Sequence, residues 1–239
     1  MRQEEFSVGK GVAVPTASAG AAKYAADMGL VRPNRFDNVL VNLPQGQRIA
    51  QEYDAAPSFD KAAVPHYKAM AEETGRQFDF LTRPQSKGGL GVNVSVTQDD
   101  PYKRARDMMA DAGNNNFKVL STKTTGGHPL FTDDQNDMFR AVHDYFGHAA
   151  TGRGFDPHGE EAAFRSHYAM FSPAARPAMA TETRGQNSAI NYGANAGNFV
   201  EQKVATLPSS QLITPIGRRA AFQTALSQAQ AAHRRAFGE

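Results

Sequence analysis

Residues 135–154 read QNDMFRAVHDYFGHAATGRG. Met138, Val142 and Phe146 recur at helical spacing with Phe139 beside them, so the stretch predicts an amphipathic helix from about Gln135 to His148. The small, glycine-containing run ATGRGFDPHG then breaks it. Inside the helix stand His143 and His148, five residues apart, with Asp144 after the first and Gly147 before the second. On an ideal α-helix five residues span about 140°. Two imidazoles on one metal ion need nitrogens roughly 3 Å apart, each about 2.1 Å from the ion. The pair therefore converges only if the helix ends or loosens between the two histidines, which Gly147 permits.

Working outward, EEAAFRSHYAMF (160–171) predicts another helix, with Phe164, Tyr168 and Phe171 as its apolar stripe. It carries Glu160 and His167 seven apart, hence nearly on one face. SPAARPAMATETRGQ follows, then an Asn/Gly-rich loop at 191–198. NFVEQKVATL (198–207) predicts a helix closed by Pro208, and a last helix spans roughly 216–236. On the N-terminal side, Ile49, Tyr53 and Ala56 share a helical face before Pro57 interrupts. Ala63, Tyr67, Met70 and Thr74 continue at helical spacing to a C-cap at Gly75. GGLGVNVSVTQ (88–98) alternates with period two and predicts a strand. DPYKRARDMMADAG (100–113) predicts a short helix capped by Asp100, and NFKVLST (116–122) a second strand. Residues 1–35 alternate small residues, Gly and Pro with little periodicity, apart from a short helix in AAKYAADMGLV ended by Gly29. They read as a loosely structured arm that packs along the body or serves a partner. The expected fold class is α+β and predominantly helical. Residues 36–239 form one globular domain, with a small sheet in the first half and a metal site between helices of the second.

Composition narrows the chemistry. The chain has 239 residues, 40% of them hydrophobic, enough to bury a sizeable core. It has no cysteine, which removes disulfides, thiolate ligands and cysteine nucleophiles. Any metal must be held by His, Asp, Glu or other oxygen donors, which points to iron, manganese or zinc. The net charge of +2 is too small to argue for nucleic acid. The C-terminal Arg218, Arg219, Arg234 and Arg235 read as a solvated helix face or a contact for an acidic partner. No run approaches the roughly 18 apolar residues of a membrane span. The expectation is a cytoplasmic protein, of the host cell if phage-encoded.

HDYFGH (143–148) resembles the His-Glu-x-x-Gly-His motif of the iron- and pterin-dependent aromatic amino acid hydroxylases. TETRGQ (181–186), with Thr181, Glu182 and Gly185, is similar to the Thr-x-Glu-x-Gly context of that family's later glutamate. The resemblance covers about residues 139–195. It implies a 2-His-1-carboxylate iron site formed by His143, His148 and Glu182, with coordination positions left open. The chain departs from the family where Arg140 stands in place of an aspartate and Asp144 in place of a glutamate. The pterin and the aromatic amino acid substrate are therefore not carried over.

Several assignments stay open at this level. Glu160 and Glu161 compete with Glu182 for the third ligand position, or serve as N-terminal acids of their helix. Glu160 and His167 could instead support the ligands from behind. Arg184 would grip an anionic substrate, with Gln186 or Asn187 orienting it, or else form an internal salt-bridge hub. His128 in GGHPLF lies near the site or is an ordinary loop histidine. The leading functional expectation is a mononuclear non-haem iron enzyme, hydroxylase-like, acting on a small molecule or a modified residue. With Zn(2+) in place of Fe(2+), the same cage would run hydrolysis with Asp144 or Glu160 as base. The non-enzymatic alternative is a phage, virion or other assembly protein with a structural His/Glu cluster, forming a homo-oligomer or meeting its partner through the arm.

Overall fold

The computed structural model describes residues 12–36 and 39–213. The expected helix at 216–236, with its four arginines, lies outside the described residues.

Among the described residues eight α-helices and two strands follow one another: α1 (Pro15–Asp27), α2 (Leu43–Ala55), α3 (Val64–Thr82), β1 (Asn93–Thr97), α4 (Ala105–Gly113), β2 (Asn116–Leu120), α5 (Asp133–His143), α6 (Pro157–Tyr168), α7 (Arg176–Ala180) and α8 (Gln186–Tyr192). The molecule is one compact, mostly helical body with a small sheet in its first half, as the periodicity predicted. β1 and β2 pair in parallel from Asn93↔Asn116 to Thr97↔Leu120, with α4 as the crossover that parallel pairing requires. Among the described residues no helix is long and apolar enough to cross a membrane.

One apolar cluster joins most of these elements. The stripe of α3 (Tyr67, Met70, Leu81) packs with Phe117 and Val119 of β2, with Phe139 and Val142 of α5, and with Phe164 of α6. The site lies where α5, α6 and the α7–α8 rod surround that core.

Four local expectations differ from the structure, each for a traceable reason. The N-terminal arm is helical over α1, and its small residues are what let it dock: Ala17, Ala21, Tyr24 and Ala25 are buried. The Val14 N–H donates to the Ala149 carbonyl at 2.8 Å, holding α1 against the helix that carries the histidines. Gly75 does not end its helix. α3 runs on to Thr82 because Gln77, Phe80 and Leu81 continue the buried face. α4 starts at Ala105, and Asp100 instead closes a turn by accepting from the Tyr102 N–H.

The fourth difference is the largest, because residues 198–207 are extended rather than helical. Their backbone is claimed by other elements. The Tyr53 hydroxyl donates to the Glu201 carbonyl at 2.7 Å, and Val204 exchanges backbone bonds with Ser58 and Asp60. The Lys203 ammonium is buried and donates to the carbonyls of Tyr53, Asp54 and Ala56 at 2.8, 3.4 and 2.6 Å. These belong to the last turn of α2, whose terminal carbonyls lack intrahelical donors and carry the negative end of the helix dipole.

Lys203→Met keeps the apolar stem and removes those donors. It is expected to lower unfolding stability by about 2 kcal/mol, the scale of a buried charged hydrogen-bonding group. The check is a urea titration in which the midpoint falls and the slope is unchanged.

Candidate metal centre

The histidines meet because the helix widens rather than ends. α5 passes without a break into a single π turn, Asp144–Ala149. There the backbone bonds reach five residues instead of four, so positions five apart come onto one face. The rings of His143 and His148 lie edge to face, 5.4 Å between centroids. Ligand atoms of His143, Asp144 and His148 all fall within 4.8 Å of one another. Gly147 makes room for the turn. A Cβ there would stand 3.1 Å from the Ala163 Cβ and 3.2 Å from its carbonyl oxygen, pushing α6 away.

Hydrogen bonds fix which nitrogen each ring presents. Gln77 Nε2 donates to the Met170 carbonyl at 3.3 Å, which turns Gln77 Oε1 toward His167. His167 Nε2–H donates to that oxygen at 2.7 Å, leaving a lone pair on His167 Nδ1. His143 Nδ1–H donates to this lone pair at 3.3 Å, so the lone pair of His143 sits on Nε2. In His148, Nδ1–H donates to the Arg153 carbonyl at 3.0 Å, and Nε2 faces Glu160 Oε2 at 3.4 Å. Both rings are thus held from behind by an acceptor that sets the tautomer, the usual support of metal-binding histidines.

The electrostatics follow from burial and from two carboxylates placed close together. Burial, with His167 and His148 beside it, pushes His143 well below its ordinary value. Burial, with the Arg32 charge nearby, takes His167 down to about 3. For His148 burial acts in the same direction but is outweighed by Glu160 and Asp144, and the group is raised to about 9. Asp144 is pushed up to about 6, mainly by burial and further by Glu160, while His148 and Arg140 pull it down. Its carboxylate accepts no hydrogen bond from the described residues, so none offsets the burial.

The other expected site residues fall in three places. Glu160 joins the group, at the first turn of α6 and 3.4 Å from His148. Glu182 lines the same cavity but stands outside the set of converging ligand atoms. Its Oε1 accepts from the Tyr67 hydroxyl at 2.8 Å and from His128 Nε2–H at 3.3 Å, and its Oε2 accepts from Gln186 at 2.6 Å. His128 is buried, and its Nδ1 accepts from the N–H groups of Leu130 and Phe131. Arg184 is absorbed into structure. It donates in a fork to Glu161, with both contacts at 2.8 Å, and further to Gln45 and the carbonyls of Ser210 and Leu212. Glu161 is thereby occupied as well, and it also holds Arg165 at 2.8 Å.

Thr181–Gly185 forms a second π turn that joins α7 to α8 in one rod. A cavity of about 440 Å³ lies between the two π turns, lined by His143, Asp144, Glu160 and Glu182. That volume is in the range of small-molecule sites.

The sequence reading missed Tyr67 and Gln77 as site residues. Tyr67 hid as an apolar-stripe aromatic. Gln77 left a usable signal: a carboxamide falling on the buried stripe of α3 demands a polar partner.

No protein-family model, curated protein or solved structure matches the chain. The function therefore has to be read from the site itself.

The metal-free protein is expected to be most stable near pH 6.5. Below that, the unfolded chain takes up protons on His143 and His167 that the folded protein refuses until about pH 3 for His167, so folding stability drains as pH falls. Asp144, with its folded value near 6, takes a proton in the folded state first and offsets part of this loss. Above pH 6.5 the folded protein keeps a proton on His148 until about pH 9, and the stability this confers is lost as pH rises through that value. Urea midpoints measured in chelator at pH 4.5, 6.5 and 9 should trace a dome; a monotonic rise toward pH 9 would contradict the assignment.

Proposed function

We propose that the protein is a mononuclear metal-dependent enzyme of the non-haem iron, oxygenase-like type. The ligands are His143, His148 and Asp144, and Glu160 lies beside them. One observation carries the reading: a buried and a half-buried imidazole, each held through Nδ1, bring a ligand atom within 4.8 Å of a carboxylate that accepts no hydrogen bond among the described residues, beside a ligand-sized cavity.

The donor chemistry fits a divalent ion. Once His148 gives up its proton to a metal, two neutral imidazoles and two neighbouring carboxylates bring a formal charge of about −2, which a dication neutralises. The Asp144 value of about 6 reflects first its burial and then the neighbouring Glu160 charge, and a cation would relieve both. A 2-His-1-carboxylate set is the arrangement that leaves iron(II) open positions for oxygen and substrate.

Apart from the ion, this chain's own residues bind, orient and exclude water. Gln77 and His167 hold the His143 ring. Phe139 and Phe155 line the cavity beside the ligands and keep that side apolar. Glu160, half exposed to the cavity and next to His148, is placed to take a proton from a substrate group delivered to the centre.

Elemental analysis of protein purified without added metal or chelator tests this. About one equivalent of iron is expected, lost in His143→Ala, His148→Ala and Asp144→Asn. Glu182→Gln should retain the metal, which separates the Asp144 ligand set from the one built on Glu182. Gln77→Ala should bind metal roughly 10–100-fold more weakly, since it frees the tautomer relay. Zinc in the same stoichiometry and with the same losses would move the reaction to hydrolysis. A wild type that holds no metal and takes none up would overturn the proposal.

A further inference from the structure

The cavity beside the metal centre is walled by side-chain amides. Asn136, Gln186, Asn187, Asn191 and Gln202 all line it. Internal bonds use part of each amide and fix its orientation. Gln186 Nε2 donates to Glu182 and, at 2.8 Å, to Gln202 Oε1. Asn191 Nδ2 donates to the backbone and side-chain oxygens of Asn187. Among the described residues this leaves the amino groups of Gln202 and Asn187 without an acceptor, and the carbonyl oxygens of Gln186 and Asn191 without a donor. A mixed set of oriented donors and acceptors suits a ligand that offers both.

Two further observations narrow the ligand. Phe199 lines the same cavity yet is 77% exposed, and its ring meets no other aromatic ring among the described residues. An aromatic face kept open beside a polar wall is a stacking platform. The ionisable groups of the lining are Asp144, Glu160 and Glu182 against Arg140, with the histidines neutral or shared with Glu160. Arg140 is itself bonded to Thr125 and the Leu120 carbonyl. Acidic groups outnumber basic ones, so the metal-free lining repels an anionic ligand, and a divalent ion brings the balance only to about zero.

We infer that this cavity binds an uncharged heterocycle of the nucleobase type, presented as a free base or nucleoside. Its edge is read by the carboxamides of Asn187, Asn191 and Gln202, and its face is covered by Phe199. Carboxamides match the paired donor and acceptor of a base edge, and phenyl rings stack on bases. The inference deepens the metal-enzyme reading by naming what would be held beside His143 and His148. It differs in its readout, because ring binding needs no turnover.

The test is isothermal titration of the full chain, with metal content measured on the same sample. The probes are adenosine, guanosine, cytidine and uridine, their 5′-monophosphates, and ribose. At least one nucleoside should bind, and in the presence of chelator its monophosphate should bind about ten-fold more weakly because the phosphate meets the acidic lining. Asn187→Leu and Phe199→Ala should each weaken the nucleoside about ten-fold, within the range for losing a base-edge pair or a stack, and leave metal content unchanged. Phe199 is exposed, so its variant folds and keeps the test decisive if Asn187→Leu does not. Failure of all four nucleosides, ribose binding as tightly as its nucleoside, monophosphates binding more tightly in chelator, or variants without effect would each overturn the inference. Nucleoside binding by a protein that holds no metal would sink the metal centre and leave the ring site standing. Metal without nucleoside binding would do the reverse.

Discussion

Everything at the site depends on one backbone adjustment, the widening of a helix by one residue over a single turn. His143 and His148 on a regular α-helix would face about 140° apart and could share nothing. The π turn at Asp144–Ala149 brings them together without breaking the helix, so α5 still packs its apolar face on α3. The same device recurs across the cavity at Thr181–Gly185 and turns Glu182 and Gln186 toward it. Such turns are rare and poorly bonded, which is why they concentrate where a side chain must be re-aimed. Each contains a glycine pressed on a neighbour. At Gly185 an added Cβ would meet Leu207 Cδ1 at 2.9 Å, much as Gly147 is pressed on Ala163. The two glycines let neighbouring elements close directly over the widened turns.

Much of the frame was legible in the sequence because it obeys periodicity. The apolar stripes of α2, α3, α5 and α6, the two strands and the crossover helix between them all repeat at their structural periods. The histidine pair was legible too, including the need for the helix to loosen. Failures came where tertiary partners overrode local preference. Residues 198–207 have helical spacing but lie extended, because Tyr53, Tyr67, Ser58 and Asp60 take up their backbone groups. TETRGQ is rich in hydrogen-bonding side chains, yet no local rule tells which of them faces the cavity. Arg184 and Glu182 are two residues apart, and the rod directs one to Glu161 and the other to Tyr67 and His128.

The division of labour between the two acidic clusters follows from hydrogen-bond supply. Glu182 receives three donors, and a carboxylate so well served gains little from a metal. Asp144 receives none, is crowded by Glu160, and has the most to gain from a cation. Proximity in the chain and in space agree on Asp144, since it rides on the same π turn as the two histidines. Resemblance pointed to the later glutamate because a distant glutamate is what a sequence motif can show. Donor counts need coordinates.

The small sheet, remote from the chemistry, is the mounting for this arrangement. The loop leaving β2 is tied to α5 where the Thr122 N–H and hydroxyl both donate to Asp137 Oδ1, at 2.7 and 2.6 Å. One turn further along, Arg140 returns to the Leu120 carbonyl at the end of the strand. Phe117 of β2 packs its ring edge to face on Tyr145, inside the first π turn. α1 adds a bond from the Val14 N–H to the Ala149 carbonyl, where that turn closes. The helix that carries His143 and His148 is thus fixed by polar bonds on its flank before His143 and by aromatic and backbone contacts after it. A site whose backbone bonds are locally weak is kept in register by these anchors on either side. β2 and the loop that leaves it supply most of them, so the first half of the chain positions the histidine pair of the second.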